Sequence, residues 1–142
     1  MSETLSLKID CRPDELDRIA SEVNDLGERE GWPDAMTYRV HLVLEELGLN
    51  IMNYGYEDGD RDKHQIEITL TSVPDSLTID IVDDGRPFDP LSDAPIPDTG
   101  ATMEDRPIGG LGVHLVKTLM DEMHYRREKG KNRLTLVTHR SE

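Results

Sequence analysis

Apolar positions along the chain change their period from element to element, and the first two periods are clear. Residues 5–9 (LSLKI) alternate between apolar and polar, which is typical of a strand with one buried face. After Pro13, residues 14–28 carry apolar side chains at helical spacing, and this helix would end at Gly27 or at Gly31. The chain is therefore predicted to begin with a strand followed by a helix.

A longer helix and a hairpin follow. A second apolar stripe at helical spacing extends from Pro33 to Gly55, which predicts one long helix. Residues 66–70 and 77–81 again alternate, and the turn residues PDS (74–76) separate them. We expect these two segments to pair as antiparallel strands.

The last third of the chain contains one long segment without a period. Residues 86–108 hold five of the eight prolines and are predicted as a long loop, a kind of segment that often forms a lid over a site. A third helix is predicted at 111–123, and strands are predicted at 125–128 and 133–138 around the turn residues GKN (130–132).

The order β-α-α-β-β-loop-α-β-β indicates an α+β fold. We expect a two-layer sandwich in which a mixed, mostly antiparallel sheet carries the helices on one face. A chain of 142 residues has room for one core, so residues 1–142 are predicted to form a single domain.

Composition excludes several kinds of partner. Asp and Glu number 30 against 16 Lys and Arg, so the formal charge is −14, and such a surface repels nucleic acid and anionic lipid. There is neither a signal-like start nor an apolar run of membrane-spanning length, and the lone Cys11 cannot form an internal disulfide. We expect a cytoplasmic protein without nucleic-acid or membrane partners. The acidic surface either maintains solubility or docks a basic protein, and composition leaves both open.

Two polar residues lie at one edge of the long helix. With about 100° per residue, Asn50 and Glu46 lie one turn apart on the same flank of the apolar stripe, whereas Glu45 falls on the opposite flank. A carboxylate and a carboxamide in this arrangement suit a hard cation and the activation of a nucleophile. The alternative is an ordinary helix edge that faces water.

An acidic residue and a glycine end the strand at 77–81. Asp83 would be a fixed acceptor at the mouth of the strand, able to bind the amino group of an adenine, and Gly85 would let the backbone approach the flat ring. The alternative is a simple turn, since Asp-Gly is common in turns.

A glycine run precedes the third helix. The sequence GGLG at 109–112 would bring unpaired helix amides close to phosphate oxygens, and the helix dipole adds positive potential there. No Gly-Lys-Ser/Thr follows and no strand directly precedes, so the run is neither a Walker loop nor a Rossmann fingerprint. A flexible hinge that closes the long loop is the alternative.

In their order, these features resemble one family. A helix with Glu46 and Asn50, a strand that ends in Asp83-x-Gly85, a proline-rich loop and a glycine pair that opens a helix resemble the GHKL (Bergerat) ATP-binding fold. That superfamily includes histidine kinases, gyrase-type ATPases and anti-sigma-factor serine kinases. The segments EELGLNIMNYGY, DDGRPFDP and GGLGVHLVKTLMDEM are most similar to the last group.

The resemblance implies a role for each matching residue. Glu46 would be the general base, and Asn50 would bind Mg²⁺. Asp83 would hold the adenine amino group, and Gly85 would line the adenine pocket. The phosphates of ATP would lie on the start of the third helix, at Gly110, Leu111 and Gly112.

The resemblance also implies a function and partners. The chain would be an ATP- and Mg²⁺-dependent serine kinase that phosphorylates a STAS-type anti-anti-sigma protein, and this protein and a sigma factor would compete for it. A homodimer is implied as well.

Other functions remain open at this point. A superfamily member often has a basic residue or histidine after the metal-binding asparagine, whereas this chain has Asn53 and Tyr54, so turnover is less firmly implied than nucleotide binding. The alternative is a regulator that binds nucleotide and sequesters a partner without turnover. Lys117 or Arg106 would be the replacement cation. A histidine-kinase domain would follow a phosphoacceptor helix pair, and a gyrase-type motor would precede a transducer domain; neither is expected here.

Overall fold

The computed structural model of the chain describes residues 3–54, 64–87 and 110–140. Nearly all of the loop predicted at 86–108 therefore lies outside the described residues. The elements, in chain order, are β1 (Glu3–Asp10), α1 (Glu15–Glu30), α2 (Asp34–Tyr54), β2 (Gln65–Val73), β3 (Ser76–Asp83), α3 (Gly110–Leu119), β4 (Glu122–Glu128) and β5 (Lys131–His139).

The strands of the described ranges form one five-stranded sheet in the order β1-β2-β3-β5-β4. The predicted α+β sandwich is confirmed with one difference, because every neighbouring pair of strands is antiparallel and the sheet is not mixed. The hairpin of β4 and β5 explains this difference. Because of this hairpin, β5 lies between β3 and β4. Strands β3 and β4 run parallel to each other, but they are not neighbours in the sheet.

Only one face of the sheet is buried. Along β3, every second side chain (Leu77, Ile79 and Ile81) belongs to the core, and the side chains between them are partly exposed. The same alternation holds along β2 and β5. Because the helices cover this face alone, the fold has two layers and the core lies between them.

Helix α1 ends at Gly31, which decides between the two glycines considered from the sequence. Gly31 adopts the left-handed conformation, with φ of 66°, whereas Gly27 is buried inside the helix. The guanidinium of Arg140 donates to the carbonyl oxygens of Glu30 (2.8 Å) and Gly31, and also to that of Pro74 (3.4 Å). The residue after β5 therefore ties the end of α1 to the turn between β2 and β3.

Helix α2 contacts both of the other helices. On the α1 side, His41 Nε2 lies 2.8 Å from Asn24 Oδ1, and burial lowers the pKa of this histidine. The face of α2 that meets the sheet is apolar, with Val40, Val43 and Leu47 all buried. Its position in the fold is thus fixed by α1, by α3 and by the sheet.

The third helix was predicted to be longer than it is. Helix α3 ends at Leu119, and Met123, which was placed in the helix, pairs with Leu136 across β4 and β5. Asp121 explains the early end. Its backbone N–H donates to the carbonyl oxygen of Val137 (2.9 Å) and its carboxylate accepts from the N–H of His139 (2.6 Å), so β5 captures the chain before another helical turn forms.

The final hairpin turn is also shifted from its predicted place. Lys129 and Gly130 both have positive φ (53° and 76°) and form a two-residue turn. Lys131 and Asn132, which were predicted in the turn, belong to β5. This shift by two residues brings Asn132 into the sheet.

No helix in the described ranges is both long enough and apolar enough to cross a membrane.

The carbonyl contacts of Arg140 are expected to contribute measurably to stability. Replacing Arg140 by methionine keeps most of the apolar stem but removes the donors, so we expect a loss of about 1–2 kcal/mol in the free energy of unfolding. The matched control is Arg126→Met, because Arg126 is exposed and pairs only with Glu128 among the described contacts (2.8 Å). This variant should stay within about 0.5 kcal/mol of wild type in urea unfolding. Equal losses in both variants would contradict the role given to Arg140.

Candidate functional site

Asp83 ends β3 on the buried face of the sheet. It continues the row of Leu77, Ile79 and Ile81, so the apolar alternation itself carries its carboxylate under the helical layer, where only 7% of the residue is exposed. Its Oδ1 accepts two hydrogen bonds, from the backbone N–H of Gly85 (2.9 Å) and from the amide of Asn132 (3.0 Å). The two residues of the predicted Asp-x-Gly motif are thus joined by a hydrogen bond.

Burial raises the pKa of Asp83, and its neighbours modify that effect in both directions. The hydrogen bonds from Asn132 and Gly85 favour the charged form, as does the more distant Arg127. The adjacent Asp84 disfavours it. Asp84 itself is exposed, and its carboxylate lies 3.0 Å from His64 Nδ1. Of the two consecutive aspartates, only Asp83 is therefore an internal acceptor.

Three residues of the last two strands support Asp83, and sequence reasoning did not select them. Asn132 lies directly opposite Asp83 in the register of β3 and β5, and is buried. Its Oδ1 accepts from the hydroxyl of Tyr125 (2.5 Å), and its amide also donates to the carbonyl oxygen of Arg86 (2.9 Å). Arg127 donates to the carbonyl oxygen of Gly85 (2.7 Å).

A signal for Asn132 was present in the sequence. It stands two residues before Leu134 in the apolar row of β5, where an apolar residue is expected. A polar residue at a core position needs hydrogen-bond partners, so it marks a place where the core is not purely apolar. Tyr125 and Arg127 gave no comparable signal, because Tyr125 meets Asn132 only through the pairing of β4 with β5, and Arg127 meets Gly85 from a distant part of the chain.

Asn50 and Glu46 lie on the flank of α2 that faces away from α1. His41, which contacts α1, is half a turn around the helix from Asn50 by the usual rotation of about 100° per residue. Asn50 is only 9% exposed, whereas Glu46 is partly exposed and Glu45 is exposed on the other flank. The arrangement is that of a buried polar group beside an accessible carboxylate, and it does not suit an ordinary water-facing helix edge.

Helix α3 begins at Gly110, so Leu111 and Gly112 fall in its first turn. No acidic residue stands in that turn, and the first amides of a helix attract anions. Gly109, the first residue of the glycine run, lies outside the described residues. Helix α3 contacts α2, the helix that carries Asn50 and Glu46.

The buried polar residues of this region fit a nucleotide with its magnesium ion. A buried carboxylate, Asp83, and a buried carboxamide, Asn50, are polar groups on the core side of the fold, where an apolar residue would otherwise stand. Within the described ranges, no three or more His, Cys, Asp or Glu side chains are arranged to hold a metal ion. Magnesium usually takes most of its oxygen ligands from phosphates and water when it binds with a nucleotide, and Asn50 would add one protein oxygen.

Comparison with known proteins gives the family. The sequence profile described as the histidine kinase-like ATPase domain matches residues 9–138. The chain is 28% identical over 111 residues to the serine/threonine-protein kinase BtrW of Bordetella bronchiseptica, covering 78% of this chain and 76% of that protein. It is 26% identical over 136 residues to the serine-protein kinase RsbW of Bacillus pumilus, covering 92% and 84% of the two chains. The RsbW of Bacillus subtilis is 24% identical over 135 residues, with coverage of 91% and 81%.

A solved structure has the same fold. The crystal structure of the RsbU and RsbW domains of Rv1364c from Mycobacterium tuberculosis matches 99% of this chain with a TM-score of 0.69 and 13% identity. The match covers 33% of that longer chain. At this identity the likeness supports the fold alone, and it agrees with the two-layer architecture described above.

Replacing Asp83 by asparagine is expected to raise stability at neutral pH. The raised pKa means that ionising this carboxyl costs folding free energy, and the cost grows as the pH rises above the ordinary value of 3.8. Asparagine is neutral, and its Oδ1 still accepts from Gly85 and Asn132. In urea unfolding, the variant should have a higher midpoint than wild type at neutral pH, and the difference should shrink as the pH falls toward 3.8. A lower midpoint, or a difference that is constant with pH, would show that Asp83 carries no such cost.

Proposed function

We propose that this chain, which belongs to the histidine kinase-like ATPase domain family, is a serine-protein kinase of the anti-sigma-factor type that depends on ATP and Mg²⁺. The observation that carries this proposal is the buried Asp83, an acceptor fixed at the end of a core strand. The names of the relatives, serine/threonine-protein kinase BtrW and serine-protein kinase RsbW, support the choice of reaction.

Nucleotide binding would use both layers of the fold. Asp83 would accept a hydrogen bond from the adenine amino group, while Gly85 lines the pocket beside it. The phosphates would lie on the first amides of α3, at Gly110, Leu111 and Gly112. Asn50 would hold Mg²⁺ against them, and the ion, when bound, would offset the negative charge of the phosphates.

Glu46 would act on the incoming serine. Its carboxylate would accept the proton of the serine hydroxyl while the serine oxygen forms a bond to the γ-phosphorus of ATP. The bond between that phosphorus and the bridging oxygen of ADP breaks, and ADP leaves with the electron pair. Partial exposure of Glu46 is consistent with this role, because a protein substrate must reach it.

The proposed partner is a STAS-type anti-anti-sigma protein that carries the serine. A sigma factor would compete with it for the chain, which makes the protein a partner-switching regulator. We further propose a single domain over residues 1–142, a homodimer and a cytoplasmic location. The strongly acidic composition, with a formal charge of −14, argues against nucleic acid as a direct ligand.

One observation favours a second candidate function. Asn53 and Tyr54 follow Asn50 on α2, where a cation would assist phosphoryl transfer. Lys117 on α3 is the described cation nearest in sequence to the proposed phosphate site. If it does not serve, the protein would bind nucleotide and sequester its partner without transferring phosphate. A stable complex with the antagonist that gains no label from radioactive ATP would favour this function.

Two adjacent glutamates provide the test of catalysis. Glu46→Gln should keep ATP affinity within about twofold but lower phosphate transfer to the antagonist by about 100-fold or more, because the general base is lost. Glu45→Gln is the matched control, since it removes the same charge from the opposite flank of α2 and should transfer phosphate normally. Transfer rates are measured with radioactive ATP, and affinities by calorimetry. Wild-type transfer rates in Glu46→Gln would exclude this residue as the base.

A further inference from the structure

We propose that Tyr125 and Asn132 are positioning residues which make the site select a purine with an exocyclic amino group over one with a carbonyl oxygen at that position. They do so by fixing the Asp83 carboxylate as a hydrogen-bond acceptor. This inference rests on the proposed function, because it concerns the nucleotide that Asp83 would contact. It adds residues of β4 and β5, which no motif in the sequence indicated.

The side-chain amide of Asn132 is held in one orientation by three partners. Its nitrogen donates to Asp83 Oδ1 (3.0 Å) and to the carbonyl oxygen of Arg86 (2.9 Å), and its oxygen accepts from the hydroxyl of Tyr125 (2.5 Å). The reverse orientation would place the amide oxygen against two other oxygens that have no hydrogen to donate. The Asp83 carboxylate and the Arg86 carbonyl therefore set the orientation of the amide, and the hydroxyl of Tyr125 holds it there by donating to the amide oxygen.

This orientation determines what Asp83 offers to a ligand. Both hydrogen bonds that the described residues give to the carboxylate are accepted by Oδ1, from Gly85 and from Asn132. Each favours the ionised carboxylate, which accepts hydrogen bonds and cannot donate them. A purine amino group donates a hydrogen bond to such an acceptor. A purine carbonyl oxygen at the same position carries partial negative charge and would be repelled by the carboxylate.

The backbone beside Asp83 is fixed by the same two strands. Arg127 donates to the carbonyl oxygen of Gly85 (2.7 Å), and Asn132 to that of Arg86 (2.9 Å). The segment that would line the base is thus held at two consecutive carbonyl groups. The hairpin of β4 and β5 acts here as a support for the base-binding end of β3.

Tyr125 is suited to this role because it links the apolar core to the series of hydrogen bonds that runs through Asn132 to Asp83. Its ring packs against the buried cluster, while its hydroxyl reaches Asn132. Removing the hydroxyl leaves the ring in place, so the effect on Asn132 is separable from the effect on packing. Hydrogen bonds in such a chain strengthen one another, so the hydroxyl acts on Asp83 through the amide.

The test compares ATP with inosine triphosphate, which has a carbonyl oxygen in place of the amino group of adenine. Affinities for both nucleotides are measured by calorimetry on wild type, Tyr125→Phe and Tyr38→Phe. Tyr38 is the matched control, because it is 68% exposed on α2 and its variant removes the same hydroxyl. Thermal unfolding without nucleotide is recorded for each protein.

We expect wild type to prefer ATP, and Tyr125→Phe to lose about three- to tenfold of that preference through weaker ATP binding, with Tyr38→Phe unchanged. An unchanged preference in Tyr125→Phe would overturn the inference and leave the proposed function standing. Equal weakening of both nucleotides would also overturn it, because a merely structural role has that result. If wild type binds neither nucleotide, the proposed function fails and this inference fails with it.

A second variant covers the case in which Tyr125→Phe does not fold. Asn132→Ser keeps a polar group but is too short to reach Asp83 and the Arg86 carbonyl together. It should also reduce the preference for ATP, by at least as much as Tyr125→Phe. A folded Asn132→Ser protein with wild-type preference would equally overturn the inference.

Discussion

The antiparallel pairing of β3 with β5 is the constraint on which the candidate site depends. It sets Asp83 opposite Asn132 on the buried face, where the carboxylate and the amide become partners. The pairing exists only because the hairpin of β4 and β5 folds back after α3 and inserts β5 beside β3. The end of the sheet that carries Asp83 is therefore completed by the last third of the chain, although Asp83 and Gly85 lie before it.

Most of the fold followed from local patterns in the sequence. Alternation located the strands, and the stripe from Pro33 to Gly55 located α2 almost to the residue. One error falls where a partner outside the local pattern intervenes, because Asp121 bonds to β5 and α3 ends early. The other is local, because the positive φ of Lys129 and Gly130 places the final turn at 129–130 and β5 begins two residues before its predicted start.

The candidate site was predicted in part. Glu46, Asn50 and Asp83 were selected from spacing and resemblance, and the match of residues 9–138 to the histidine kinase-like ATPase domain confirms the family. Asn132 and Tyr125 were missed because the register of two strands far apart in sequence brings them to Asp83. Spacing along the chain carries no information on such contacts. The roles of the site residues remain predictions.

The burial of Asp83 has a cost in stability, which its proposed contact with the nucleotide would explain. An ionised carboxylate at a core position costs folding free energy, and the hydrogen bonds from Gly85 and Asn132 offset only part of the cost, since the net pKa is raised. Contacts elsewhere, such as those of Arg140 with the end of α1, stabilise the fold away from this end of the sheet. We propose that this polar group is kept at a core position because it contacts the nucleotide.

The central claim is that Asp83 holds the adenine of ATP in a site that also takes Mg²⁺. Calorimetric titration with ATP, with and without Mg²⁺, on wild type and on Asp83→Asn tests it most directly. We expect Mg²⁺ to strengthen binding to wild type and Asp83→Asn to bind ATP about tenfold more weakly or worse, because a hydrogen bond to a charged acceptor is lost. Equal affinity of the two proteins, or no binding by wild type, would contradict it.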